Sequence, residues 1–164
     1  MAEEKMTNTG EELAELLQIR RDKLTELQKA GEDPFAITSF EVTNHTAEIV
    51  SQFEAFDGKT VRLAGRLMSK RGMGKASFCD LRDRDGKIQL YVRVNDVTEE
   101  VYAKFKKFDI GDIVGVEGYI FKSRTQEVTV HVTKIELLAK SLLPLPEKFH
   151  GLKDTDLRLS LIHI

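Results

Sequence analysis

Between Arg71 and Val92 the chain reads RGMGKASFCDLRDRDGKIQLYV, and an aromatic ring, an amide and a guanidinium lie within it at spacings that could do chemistry. Side chains on a half-buried strand switch faces with a period of two. Ser77, Cys79 and Leu81 then form one face and Ala76, Phe78 and Asp80 the other. Ile88, Leu90, Val92 and Val94 are likewise set against Gln89, Tyr91 and Arg93. Asp83-Arg84-Asp85-Gly86 supplies the turn, with Asp-Gly as its hairpin signal. A turn pairing Arg82 with Lys87 sets Asp80 opposite Gln89 and Phe78 opposite Tyr91, making Phe78 and Gln89 diagonal neighbours on one outward face. A ring beside an amide on such a face can stack on an unpaired base and read its edge. On the hairpin alone, a Phe78 covered by a neighbouring helix is an equal alternative.

Composition narrows the classes. The 164 residues allow one core with appendages, and 41% hydrophobic with 32% charged residues is the balance of an ordinary globular chain. The single cysteine, Cys79, excludes an internal disulfide, fits a reducing compartment and offers no metal set. His45 and His150 stand alone, so no metal site is expected. No run of about 18 apolar residues is present, and the acidic start MAEEKMTNTGEEL is unlike a targeting peptide. A cytoplasmic protein away from membranes is expected. The net charge of −2 argues against a bulk nucleic-acid coater, whose affinity rests on many phosphate contacts. It leaves room for a local basic patch from Lys59, Arg62, Arg66, Lys70, Arg71 and Lys75.

The elements that must position these residues follow from periodicity. Residues 1–10 are expected to be disordered. A helix over Glu11–Ala30 follows from Leu13, Leu16, Leu17, Leu24 and Leu27, with Gly31 as its stop and Pro34 as a breaker. A second helix is predicted over Asn44–Phe56, capped by Thr43 or Asn44, with Ile49, Val50, Phe53 and Phe56 as its stripe. A strand begins at Thr60 with Val61, Leu63, Gly65 and Leu67 alternating. The hairpin strands follow, then a helix over Val97–Phe108, then strands over Asp112–Phe121 and Glu127–Glu136. Val114, Val116, Gly118 and Ile120 are expected inward on the first of these, and Val128, Val130 and Val132 on the second. Three strands, one helix and two strands is the order of the OB-fold, a five-stranded barrel that commonly binds oligonucleotides. Gly65 and Gly118 suit positions where a curved strand bends.

At Arg71–Val92 the sequence resembles the anticodon-binding domain of class II aminoacyl-tRNA synthetases of the lysine, aspartate and asparagine subgroup. QIRRDKLTELQKAGEDPF (Gln18 to Phe35) and LLPLPEKFHGLKDTDLR (Leu142 to Arg158) narrow the resemblance to bacterial-type lysyl-tRNA synthetases. It implies a reader of the uridine-rich lysine anticodon. Arg71, Phe78 and Gln89 match the family residues that hold the central uridine, and Glu127 matches the reader of the third. A Gln amide carries donor and acceptor, an arginine fork donates to carbonyl or phosphate oxygens, and a carboxylate can only accept. Uracil N3 carries a proton that cytosine N3 lacks, so an accepting Glu127 favours uracil. Lys70, Lys75, Tyr91, Arg93, Lys122, Arg124 and His131 are further candidate RNA contacts, Lys122 and Arg124 by non-specific phosphate attraction. For His131 an exposed surface histidine is the blander expectation.

The resemblance implies five segments: a disordered 1–10, a helical extension over 11–58, an OB-fold anticodon-binding domain over 59–140, a linker over 141–158, and a tail over 159–164. Leu143-Pro144-Leu145-Pro146 reads as a stiff connector. In the family the linker leads to a catalytic domain that binds ATP, Mg2+ and lysine and carries most of the homodimer contact. This sequence holds no candidate catalytic constellation. It is expected to need no cofactor, to be inactive alone as a ligase, and to be monomeric. LSLIHI at 159–164 departs abruptly from the family pattern and resembles the translation of a transposase end used in sequencing libraries, so a non-native tail is expected. The competing reading is a free-standing OB-fold module that binds single strands generally or a protein partner.

Overall fold

The computed structural model describes residues 2–145. The linker beyond Leu145 and the tail at 159–164 lie outside the described residues. Helix α1 spans Ala2–Lys29, so it begins well before the expected Glu11 and takes in the stretch expected to be disordered. That stretch contains no proline, and an interior glycine such as Gly10 costs a helix only about 1 kcal/mol. The C-terminus forms as expected. Gly31 takes a φ of 76° and donates to Gln28 O (3.1 Å), while Glu32 N–H returns to Leu27 O (2.9 Å). These two bonds are the Schellman stop, whose left-handed residue favours glycine. A 3-10 turn over Pro34–Ala36 follows, begun by the Asp33 carboxylate accepting from Phe35 N–H.

The second helix is shorter than expected and split, into α2 (Thr46–Ser51) and α3 (Phe53–Phe56). Its cap is neither Thr43 nor Asn44. Asp83, in the distant hairpin turn, accepts from Thr46 N–H (2.8 Å) and Thr46 Oγ1 (2.7 Å). The same carboxylate accepts from the N–H groups of Asp85 and Gly86. One side chain therefore shapes the turn and anchors the helix on it.

Strands β1 (Thr60–Met73), β2 (Ala76–Arg82), β3 (Lys87–Arg93), β4 (Ile113–Lys122) and β5 (Val128–Ala139) close a barrel in the order β1-β2-β3-β5-β4. The hairpin register is the expected one: Arg82 pairs with Lys87, Asp80 with Gln89 and Phe78 with Tyr91. Closure comes from a parallel pairing of β3 with β5. Between β3 and β4 the helix expected over Val97–Phe108 is two pieces, α4 (Val94–Val97) and α5 (Glu99–Lys106). Thr98 divides them with a φ of 85°, and its hydroxyl accepts from Val101 N–H at the start of α5. Val94, expected as the last core residue of β3, instead opens α4.

Alternation fills the interior. Leu63, Leu67, Cys79, Leu81, Leu90, Val92, Val114, Val116, Ile120, Val130 and Val132 are buried, whereas Val128 is only half-buried. Ile49 of α2 closes the end carrying the β2–β3 turn, and Phe105 of α5 closes the other. Tyr102 of α5 is tied to Ser77 Oγ (3.0 Å) and Gly74 O (3.1 Å). Among the described residues no helix is long and apolar enough to cross a membrane.

Candidate nucleic-acid interface

The outer face is organised in two cross-strand rows. One runs Arg71, Phe78, Tyr91, His131, Tyr119 and Thr60 around all five strands. The other runs Ser69, Asp80, Gln89, Thr129 and Phe121 beside it. The first is mainly aromatic and the second mainly polar.

Each row follows from local sequence. Phe78 and Tyr91 are opposed by the hairpin, with centroids 4.9 Å apart. Both rings are half-buried, and the aromatic neighbour of Phe78 lies on a strand rather than on a covering helix. Parallel pairing places His131 against Tyr91 (5.3 Å), and the β4–β5 register lays Tyr119 over His131 at 4.6 Å and 18°. Phe121 flanks both Tyr91 and His131. His131 is no exposed surface histidine. Its side chain is 13% accessible, and its Nε2 lies 2.6 Å from Asp96 Oδ2. Asp96, on α4, also accepts two bonds from Arg93. Burial pushes the Asp96 pKa up, but the hydrogen bonds from Arg93 and His131 outweigh it and hold the carboxyl below its ordinary range.

In the polar row, Gln89 Oε1 accepts from Thr129 Oγ1 (3.0 Å). Thr129 is fully buried, although alternation on β5 made it outward; the amide and the flanking strands cover it. With Oε1 held, Nε2 remains without a hydrogen bond among the described residues. Asp80 accepts from Ser69 Oγ (2.6 Å) and pairs with Arg71 Nη1 (3.5 Å), leaving the Arg71 side chain 55% exposed. Glu127 is exposed in the β4–β5 loop, anchored through its backbone to Ser123. Its carboxylate has no partner among the described residues.

The structure brings Arg71, Phe78, Tyr91, Gln89 and His131 onto one face but disperses the expected basic patch. Lys70 points to the other side of β1, where it donates to the carbonyls of Phe105 (2.8 Å), Lys106 (2.9 Å) and Phe108 (3.0 Å). Burial lowers its pKa, partly opposed by Asp109 and Asp112. Arg66 donates to Gly111 O, and Arg62 sits between Glu41 and Glu117 over the Phe40 ring. Lys75 is exposed at the β1–β2 turn, and Arg124 is exposed in the β4–β5 loop. Lys122 lies over Phe53, 4.7 Å from its ring centre. Burial raises the Cys79 thiol to about 12, which keeps it protonated and a poor nucleophile. Thr129, Asp96, Tyr119 and Phe121 escaped the sequence reading. Alternation on β4 already set Tyr119 and Phe121 outward, but only the β4–β5 and β3–β5 registers bring them to His131 and Tyr91.

Comparison with known proteins agrees with this geometry. Residues 61–138 match the tRNA anti-codon family of OB-fold nucleic acid binding domains. The chain is 57% identical over 151 residues to the lysine–tRNA ligase of Thermoanaerobacter sp. (strain X514), covering 92% of this chain and 30% of that protein. It is 54% identical over 156 residues to the lysine–tRNA ligase of Clostridium tetani (strain Massachusetts / E88), covering 95% and 31%. The lysine–tRNA ligase of Clostridium botulinum (strain Hall / ATCC 3502 / NCTC 13319 / Type A) is 53% identical over 157 residues. The chain thus spans somewhat under a third of the length of the curated relatives it matches.

Proposed function

From its similarity to lysine–tRNA ligases and its match to an OB-fold nucleic acid binding domain, we propose that the chain's outer sheet face reads the uridine-rich anticodon of a lysine tRNA. The observation that carries this reading is the convergence of Arg71, Phe78 and the Nε2 of Gln89, which has no hydrogen bond among the described residues, on adjacent rows of one face. Phe78 stacks the central uridine, a contact of roughly 1–3 kcal/mol. Gln89 Nε2 donates to a uracil carbonyl. Cytosine presents its N4 amino group where uracil presents O4, so donor would meet donor. An unmet polar group costs about 1–3 kcal/mol. Arg71 donates to a carbonyl or phosphate oxygen, and the exposed Glu127 carboxylate accepts from the N3 proton of the third uridine.

The chain's share of the ligase reaction is tRNA recognition in the cytoplasm. In this reading, lysine activation with ATP and Mg2+ would fall to parts of the ligase outside the matched region. The low charge of the face supports a reader rather than a coater, because Arg71 and Arg93 are each paired with an aspartate. The test is titration of the chain with a lysine anticodon stem-loop and with the same loop carrying cytosine at the central position. The cytosine loop is expected to bind about 5- to 150-fold more weakly. Gln89→Ala should abolish most of that difference, and Phe78→Ala should weaken both loops. Equal, salt-sensitive binding to both loops would sink the reading.

A further inference from the structure

The aromatic row does not end at the residues needed for one base. Tyr119 and His131 stack at 4.6 Å and 18°, three and two strands beyond Phe78. Tyr119 is 39% exposed, so its ring is open to solvent on the outer face of β4. Its next neighbour around the barrel, on β1, is the small Thr60, and among the described residues no ring but His131 stacks on it. His131 beneath it is fixed by Asp96 on one side and by Tyr91 and Phe121 on others. A stack held this firmly is pre-organised, and little side-chain freedom is lost when a further ring joins it.

We propose that Tyr119, backed by His131, is a second base-stacking subsite that takes an unpaired base flanking the one on Phe78. The proposal rests on the anticodon-reading function. Phe78 and Tyr119 lie three strand spacings apart, about 14 Å, too far for one base to touch both and within reach of two bases of one loop. Stacking accepts any base, so this subsite contributes affinity and register, whereas discrimination stays with Gln89 and Glu127. Asp96 is a positioning residue, because it orients His131 and does not itself face a base.

The experiment uses the lysine anticodon stem-loop together with a set of loops carrying one abasic nucleotide at each loop position. Each is titrated against the wild type, Tyr119→Ala, Tyr119→Phe and Phe78→Ala. Tyr119→Ala is expected to weaken the intact loop by about 5- to 150-fold, and Tyr119→Phe to bind as the wild type. One abasic loop should abolish the effect of Tyr119→Ala while leaving that of Phe78→Ala intact. Wild-type affinity in Tyr119→Ala overturns the proposal and leaves Tyr119 to a different class of partner. So does an equal loss on every abasic loop, which marks a structural role, or a loss that vanishes at the same position as that of Phe78→Ala. The anticodon reading fails separately, through equal binding of uridine and cytosine loops by the wild type.

Discussion

Lys70 and Arg71 are sequence neighbours of equal charge on opposite faces of β1, and one irregularity in the strand decides which of them faces outward. The pairing with β2 slips between Leu67 and Ser69. Continued alternation from Leu67 would turn Arg71 inward and Lys70 outward. The extra residue at Met68 reverses this, as a β-bulge does. Arg71 therefore joins Phe78, while Lys70 meets the Phe105 and Lys106 carbonyls at the end of α5 and the Phe108 carbonyl just beyond it. A cation there supplies a further donor to carbonyls at the helix end and complements the negative end of the helix dipole. Lys70→Ala is expected to destabilise the fold by about 1–2 kcal/mol, read from the denaturant midpoint, and to change RNA affinity by less than about twofold. Arg71→Ala should do the reverse. A Lys70→Ala variant of unchanged midpoint and weakened RNA binding would contradict the assignment. The bulge was not legible because Met68-Ser69-Lys70 has no apolar alternation to betray a change of face.

At the scale of elements, the hairpin was readable in full because its turn chemistry and two short alternating strands fix one register. The order of five strands around one inserted helix was readable for the same reason. What alternation could not supply is which strands meet across the barrel. His131 looked like a surface residue until parallel β3–β5 pairing placed it beside Tyr91. Likewise the cap of α2 comes from Asp83, 37 positions away, and no local pattern announces so distant a partner. Gly118 shows what closure demands. The β4–β5 register shifts beside it, and a Cβ at this position would be driven into the carbonyl of His131. The obstruction is backbone on both sides, so no rotamer relieves it. Gly118→Ala is expected to cost about 2–3 kcal/mol or more and to perturb the Tyr119–His131 stack beside it. Thermal unfolding together with the stem-loop titration checks both effects, and an unchanged melting temperature would show that the strands separate there at little cost. Gly65 is a milder case, since its added Cβ would meet Arg82 O at 2.6 Å.

Over the whole molecule, charge joins the pieces that hydrophobic burial leaves loosely attached. Lys140, just past β5 and 2% exposed, is held by Asp112 and Asp109 in the α5–β4 loop, and Lys23 of α1 reaches the same Asp109 (2.8 Å). Arg20 of α1 donates to the carbonyls of Ser141, Leu143 and Ile110. The first helix and the segment leaving the barrel are thereby strapped to one loop. Burial pushes the Asp109 carboxyl up, but bonds and charges from Lys140 and Lys23 outweigh it, so its pKa lies below the ordinary value. Asp83 and Asp96 are lowered in the same way, against burial, by Thr46 with two turn N–H groups and by Arg93 with His131. A carboxylate whose folded pKa is depressed gives stability that is present above its unfolded pKa of about 3.9 and lost as pH falls through the folded value. In that window the unfolded chain binds more protons, so stability rises with pH. Unfolding followed from pH 7 to pH 2 should show the loss beginning near pH 4–5 and continuing below it. Asp109→Asn removes one of the three lowered carboxylates and should flatten the acid limb of that profile. Loss of the Lys140 and Lys23 pairings should also expose the segment from Ser141 to Leu145 to faster amide exchange. An acid limb of unchanged slope, with unchanged exchange at Ser141, would mean that the strap is held by Asp112 and Arg20 alone.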